Sequence, residues 1–445
     1  MSSQANLQEA DDRLSPEELH EAWGLLSHDD RVEGFRLLDR AIAEDFFLSL
    51  SSREQAELLA ELPHVQRRSW LRLLPLDDAA DLIQEFPEPE RERLLSLFDE
   101  STRKELMGLL AYAEDRAGGL MNPKYARVRP DMSVDEAIAY LRRQARERIE
   151  YIYYVYVLDA EQRLLGVVTF RELFAARPEQ RVREVMRTDI VTVPEEMDQE
   201  HVSQLFARHD LAAIPVVDTE GRIKGIVTVD DIVDVVQEEA TEDIQKIGGT
   251  AALDAPYLDV GLFSMIRKRA GWLSVLFLGE MLTTTAMAYF ESELERAIVL
   301  AVFIPLIISS GGNSGSQATT LVIRAMALDE IRLRDWYRVV RRELLSGLAL
   351  GGILGALGFL RVVLGGAYLN TYGEHYVLVG LTVAVSLVGV VTWGTLAGSM
   401  LPFVLRKLGF DPASASAPFV ATLVDVCGIL IYFGLASVIL AGTLL

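Results

Sequence analysis

The chain has a single cysteine, Cys427, among 445 residues, which excludes an internal disulfide. That thiol sits in an apolar run, where a small buried side chain is the expected role. Histidines number only six, so soft or imidazole-rich metal centres have little to draw on. No Gly-Lys-Ser/Thr phosphate loop occurs, which argues against a built-in ATP-driven pump. Positive charge is in deficit, with 43 Lys and Arg against 65 Asp and Glu. A net charge of -22 disfavours a nucleic-acid partner and favours a surface that attracts cations. The first residues, Met-Ser-Ser-Gln-Ala-Asn, lack the basic-then-apolar pattern of a secretory signal, so the soluble part is expected to stay in the cytoplasm.

What the chain does have is oil, kept apart from its charge. Mean hydropathy is +0.20 despite the acidity. Residues 1–270 carry 54 acidic and 33 basic side chains, and the remainder carries 11 and 10. Apolar runs at 272–290, 297–323, 345–364, 377–401 and 419–441 each reach the roughly 20 residues that a membrane helix needs. The second contains Ser309-Ser-Gly-Gly-Asn-Ser-Gly-Ser-Gln317, so it is expected to be broken or unusually polar. Basic residues collect before the first run (Arg267, Lys268, Arg269), between the second and third, and between the fourth and fifth (Arg406, Lys407). Five spans then place the amino terminus in the cytoplasm and the carboxyl terminus outside, in a cell (plasma) membrane.

The acidic half reads in two parts. Within 15–115, short leucine-and-charge helical patterns are punctuated by Pro63, Pro75 and Pro87, twelve residues apart, which predicts short helices stacked as a small solenoid. An internal duplication follows. Met121-Asn-Pro and Met186-Arg-Thr each open a β-α-β-β-α pattern, with Val155–Asp159 and Gly166–Thr169 in one copy and Ile214–Asp218 and Gly225–Thr228 in the other. This resembles a tandem pair of cystathionine-β-synthase (CBS) domains, a regulatory module that binds adenosine nucleotides in many relatives. The resemblance implies an ATP-type ligand at the second copy, where Thr228-Val-Asp-Asp231 keeps the family's Thr-x-x-Asp. Thr228 and Asp231 are the cofactor-binding candidates; the first copy has Thr169-Phe-Arg-Glu172 instead.

Two acidic features point to ion chemistry. Asp230, Asp234, Glu238 and Glu242 recur every fourth residue, with Asp231, Glu239 and Asp243 beside them. Like charges at this spacing repel, so the stripe either faces water or holds cations, and oxygen ligands suit hard ions such as magnesium, calcium or manganese. Asp411, before the fifth run, would meet this stripe if it lies near the membrane. The second feature is Asp425, a carboxylate in the fifth run, where placing a charge costs at least ~2.5 kcal/mol. Such residues usually mark a transport path. The small and polar Gly312, Asn313 and Ser314 are the candidates to line that path with it.

Taken together, the whole chain resembles the MgtE family of magnesium transporters and channels. The resemblance rests on Ala117-Gly-Gly-Leu-Met121, Ala240-Thr-Glu-Asp-Ile244, Gly311-Gly-Asn-Ser-Gly-Ser-Gln-Ala318, Leu401-Pro-Phe403 and Ala421-Thr-Leu-Val-Asp-Val426. It implies a multidomain α-helical membrane protein with five transmembrane helices, a cytoplasmic α-helical superhelical domain and tandem α/β CBS domains. The expected bounds are 1–118 for the acidic helical domain, 119–182 and 183–243 for the CBS copies, 244–268 for a connecting (plug) helix and 269–445 for the membrane domain. It further implies a non-enzymatic, magnesium-gated Mg2+ channel, a homodimer in membrane lipid with its pore along the subunit interface. Asp425 would hold the permeating ion. Cytoplasmic Mg2+ at Asp231, Asp234, Glu239, Glu242, Asp243 and Asp411 would keep the pore closed. The alternatives are a broader divalent-cation transporter with a coupled counter-ion, and a membrane-anchored metal or nucleotide sensor without flux.

Overall fold

The computed structural model describes residues 16–145, 153–253, 255, 257–258, 260–369 and 372–444, and they form two compact units, Met1–Val236 and Gln237–Leu445.

Among the described residues the first unit begins with eight short helices: α1 (Pro16–Trp23), α2 (His28–Leu37), α3 (Arg40–Leu48), α4 (Ser52–Glu61), α5 (His64–Leu71), α6 (Leu76–Gln84), α7 (Glu88–Leu95) and α8 (Glu100–Leu109). The twelve-residue proline spacing is structural, since Pro63, Pro75 and Pro87 are the N-caps of α5, α6 and α7. A second device follows the same register. Arg31, Gln55, Arg67, Arg91 and Arg103 each donate to carbonyls at the end of the preceding helix: Trp23, Phe47 and Leu50, Ala60 and Leu62, Gln84 and Phe86, Leu95 and Phe98. A helix leaves its last carbonyls without internal partners, and a long donor from the next helix satisfies them. Trp70 fills the space between Phe35 and Phe47, with ring centroids 5.2 and 5.1 Å away. One hydrophobic core runs from these helices into the second CBS copy, through Val193, Val202, Phe206, Ile214 and Ile232.

The duplication is present as two matching three-stranded sheets. The first copy is β1 (Arg127–Val128), α9 (Val134–Gln144), β2 (Tyr154–Leu158), β3 (Leu164–Thr169) and α10 (Phe170–Ala175), followed by the short α11 (Val182–Val185). The second is β4 (Val193–Pro194), α12 (Gln199–His209), β5 (Ala213–Val217), β6 (Ile223–Thr228) and α13 (Val229–Ile247). In each, the first strand pairs parallel to the second and the second antiparallel to the third, with an irregularity at the same place, Val157/Leu158 and Val216/Val217.

Beyond α13 lie α14 (Leu262–Tyr289), α15 (Glu291–Arg296), α16 (Ile304–Ala327), α17 (Trp336–Leu369), α18 (Tyr376–Lys407) and α19 (Ala417–Ile439). Backbones approach closely where α16 meets α18. A Cβ at Gly394 would strike the Gly311 carbonyl oxygen, and one at Gly398 would strike that of Gly315. Thr319 Oγ1 crosses the same contact to the Gly398 carbonyl at 2.9 Å.

Three expectations change. Four helices, within Ile298–Ala327, Leu333–Leu369, Tyr376–Lys407 and Ala417–Ile439, are long and apolar enough to cross a membrane among the described residues, and α14 is not one of them. The basic triplet at its start, Glu280 and the hydroxyls of Ser274 and Thr283–Thr285 dilute its apolar character. The connecting helix expected over 244–268 is not one helix. α13 ends at Ile247, Gly249 takes φ +75°, a conformation that favours glycine, and helix resumes only at Leu262. The polar stretch of the second run is not where it breaks: a 3-10 turn at Ile298–Phe303 precedes α16, which then passes through Gly311–Gln317 as continuous helix supported by its neighbours.

Candidate functional site

The acidic stripe divides between the two units. At the start of α13, Asp230, Asp231 and Asp234 lie close enough to Asp77 and Asp78, at the start of α6, to repel them. Asp77 is 6% exposed and accepts from Asn122 Nδ2 at 3.1 Å. Burial, then the Asp231 charge, holds its carboxyl well above the ordinary range. Asp78 is raised by burial and by Asp230 and Asp234. Asp231 is pushed up to about 7 by burial, against hydrogen bonds from Thr228, and Asp230 adds to the rise. Two helix N-termini thus bring buried carboxyls near one another, so protonation or a nearby cation would relieve their repulsion. The sequence reading missed Asp77 and Asp78. Their only signal was the pair of acids after Pro75, an ordinary helix start in isolation.

Asp231 accepts from both the Thr228 hydroxyl and, at 3.2 Å, the Thr228 amide. In the first copy Glu172 closes the equivalent loop on Thr169, a capping box at the start of α10. The Thr-x-x-acid motif therefore has a local structural role in both copies.

At the other end of α13 the acids gather around a base. Lys246 Nζ lies 2.7 Å from Asp411 and 2.5 Å from Glu242. Burial lowers the lysine's pKa, but the bonds to Asp411 and Glu242 outweigh it and raise it overall. Asp243 is pushed up to about 6 by burial and then by Asp411, against the pull of Lys246, with Glu239 and Glu242 adding repulsion. The expected meeting of Asp411 with the stripe therefore occurs at Glu242 and Asp243, with an ammonium between them.

Asp425 lies in α19, partly buried, and the Glu280 carboxyl of α14 comes within hydrogen-bonding reach of it. Glu280 was not singled out from the sequence, because one acid in a run of Leu, Phe and Gly shows no partner until the helices pack. The seam between α14 and α19 is built from matched steps: Trp272 Nε1 donates to Ser416 Oγ at 3.1 Å, Gly279 abuts Thr422, and Phe290 stacks on Phe433 at 5.0 Å. The three proposed lining residues do not share a face. Asn313 is exposed, Gly312 faces Ala421, and Ser314 is 7% exposed with an Oγ lacking a partner. Among the described residues, no three His, Cys, Asp or Glu side chains converge tightly enough within one chain to hold a metal ion.

Comparison with known proteins follows this division. Residues 304–435 match the MgtE family described as divalent cation transporters, residues 14–115 match the MgtE intracellular N domain, and residues 117–179 and 182–238 match CBS domains. The magnesium transporter MgtE of Thermus thermophilus is 43% identical over 99% of this chain and 98% of its own length. That of Bacillus subtilis is 34% identical over 81% and 78%. A crystal structure of the cytosolic domain of the Mg2+ channel MgtE in complex with ATP shares 44% identity, covers 50% of this chain and 90% of that one, and has a TM-score of 0.46. The acidic helical array, the CBS pair and the apolar bundle with its intramembrane carboxylate are thus the parts of one transporter, and the chain belongs to the MgtE family of magnesium transporters.

Proposed function

We propose that the chain conducts Mg2+ into the cell down its electrochemical gradient, as a homodimer with its path along the subunit interface, and that cytoplasmic Mg2+ closes the path. The observation that carries this reading is the Asp425–Glu280 contact, in which two carboxyls meet in an apolar bundle and the ionisable neighbour is an acid rather than a base. Intramembrane acids without a basic partner mark cation paths. Magnesium sheds its water reluctantly, so one or two carboxylates would hold it largely hydrated. Asn313, on an exposed face of α16, is the lining candidate that the single-chain packing leaves accessible. A divalent ion moving inward at 100 mV gains roughly 4.6 kcal/mol from the potential alone.

In this reading α14, less apolar than the four helices long and apolar enough to span, crosses with them as the first of five because it packs along α19. The basic triplet Arg267–Arg269 at its start places the soluble unit in the cytoplasm, and the carboxyl terminus lies outside. Closure uses both acidic groups: Asp231 and Asp234 with Asp77 and Asp78, and Glu239, Glu242 and Asp243 with Asp411. Loss of the ion restores their repulsion and loosens the parts. An adenine nucleotide at the CBS pair would contact Thr228 and would displace Asp231 from its cap.

Mg2+ entry into proteoliposomes, read by a trapped dye at varied Mg2+ on the cytoplasmic face, tests the reading. Entry at low cytoplasmic Mg2+ that disappears in Asp425→Ala and at high Mg2+ supports it. Entry that requires an opposing ion gradient assigns a coupled transporter instead, and a folded dimer with no flux under any condition assigns a sensor.

A further inference from the structure

The end of α13, the start of α14 and the segment leading into α19 meet at two side-chain bonds, and both acceptors are also caps. Asp411 takes Lys246 Nζ at 2.7 Å on one carboxyl oxygen; on the other it accepts the Ala413 amide at 2.8 Å, holding the single turn Pro412–Ser414. Two residues past that turn, Ser416 is the N-cap of α19. Its Oγ accepts the Phe419 amide at 3.3 Å and the Trp272 indole N–H at 3.1 Å. Ser416 is 0% exposed, so these two donors take up the lone pairs that water would otherwise fill. A tryptophan near the end of a membrane helix ordinarily sits at headgroup level with its polar edge toward water, whereas this N–H points into protein, at the start of another helix.

The turn after α13 closes over the same indole. A Cβ at Gly249 would lie 2.8 Å from Trp272 Nε1 and 3.2 Å from Pro418 Cγ, in the first turn of α19. Ile247, the last residue of α13, shares one small apolar cluster with the buried Ala413, Ala415 and Ile323. Trp272 and Glu280 are eight residues apart on α14, and Ser416 and Asp425 nine apart on α19, so both carboxyls lie between two and three turns from the indole bond. Gly279 against Thr422 keeps the two helices in contact in between.

We propose that Trp272 is a positioning residue that carries the closing signal from the end of α13 to the Asp425–Glu280 pair, by holding the cap of α19 through Ser416. A divalent ion taken up by Glu242, Asp243 and Asp411 competes with Lys246 for the Asp411 carboxyl, and that carboxyl also holds the turn ending two residues before Ser416. With the indole bond in place, a displacement of that turn passes to α14 and α19 as one body. Without it, the first turn of α19 absorbs the displacement, because a helix end that loses a partner frays. This role rests on the closing of the path by Mg2+ proposed above.

The test compares the unaltered full-length chain with three variants. Trp272→Phe keeps a ring and loses the donor, Ser416→Ala loses both acceptor and cap, and Ser416→Thr keeps both. In proteoliposomes, entry at the lowest cytoplasmic Mg2+ is expected to be unchanged in Trp272→Phe. The Mg2+ concentration that half-closes the path should rise about tenfold in Trp272→Phe and Ser416→Ala and return in Ser416→Thr. Reduced entry in Trp272→Phe with an unchanged closing concentration is the mark of a merely structural role and overturns the proposal. A shift confined to Ser416→Ala assigns the effect to the α19 cap alone and also overturns it. Hydrogen exchange of the Phe419 and Val420 amides gives a reading without flux: Mg2+ should slow it in the unaltered chain and in Ser416→Thr, and much less in Trp272→Phe. If the unaltered chain passes no ion, the proposed function fails and the exchange comparison decides alone. An equal response to Mg2+ in the unaltered chain and Trp272→Phe, or none in either, then overturns the positioning role.

Discussion

Raising the pH from 5 to 7.5 is expected to loosen the contact between α6 and α13. Asp231 has an ordinary carboxyl pKa in the unfolded chain and one of about 7 in the folded unit, so the folded state keeps a proton that the unfolded state releases. For an acid raised in this way, stability is greatest at low pH, falls as pH rises from the unfolded pKa through the folded one, and is flat above it. A shift of about three units at about 1.4 kcal/mol each corresponds to about 4 kcal/mol over the full window. Of this, roughly 2 to 3 kcal/mol falls between pH 5 and 7.5. Hydrogen exchange of the α6 and α13 amides in the full-length chain, corrected for the intrinsic pH dependence of exchange, reads the loss locally. Asp231→Asn keeps an oxygen to accept from Thr228 and removes the charge. It should flatten part of the slope, the rest coming from Asp77, which is held well above its ordinary range, and from Asp78. Millimolar Mg2+ at pH 7.5 should restore protection in the unaltered chain and do less in the variant. An unchanged slope in Asp231→Asn would refute the reasoning that this carboxyl carries the linkage.

In the flux assay, Glu280→Gln should fold normally and weaken the dependence of entry on Mg2+ by about tenfold, or roughly 1.4 kcal/mol, because one of two acids beside the ion is neutralised; unchanged saturation would remove Glu280 from the path. Lys246→Met should lower the Mg2+ concentration that half-closes the path, since it removes an ammonium competing for Glu242 and Asp411; a higher closing concentration would make Lys246 a support of the closed form instead. Gly398→Val should destabilise the bundle by about 1 to 3 kcal/mol, because even a Cβ meets the Gly315 carbonyl oxygen, and a lowered unfolding midpoint checks it. Gly249→Ala adds a Cβ 2.8 Å from Trp272 Nε1 at φ +75°, a strain of about 1–2 kcal/mol from the backbone alone; increased protease cleavage between α13 and α14 is the expected reading.

Local chemistry made much of this protein legible in its sequence. Proline at twelve-residue spacing can begin helices but not continue them, so the caps of α5, α6 and α7 were visible. Alternating apolar runs ending in Thr169 and Thr228 marked the duplicated sheets, because a strand followed by a hydroxyl cap has few other readings. Apolar length revealed α16, α17, α18 and α19 for the same reason: backbone in hydrocarbon must satisfy its own hydrogen bonds. The tertiary structure decided what depends on partners distant in the chain. Gly248 and Gly249 ended α13 where the helical pattern ran on, and neighbouring helices kept α16 continuous through its glycines. A stripe drawn as one face was divided, its first acids set against α6 and its last gathered on Lys246 and Asp411. Asp425 looked solitary because Glu280 lies 145 residues earlier in the sequence. A carboxylate's charge state depends on burial and on the charges that packing brings near it, and spacing along one helix carries neither.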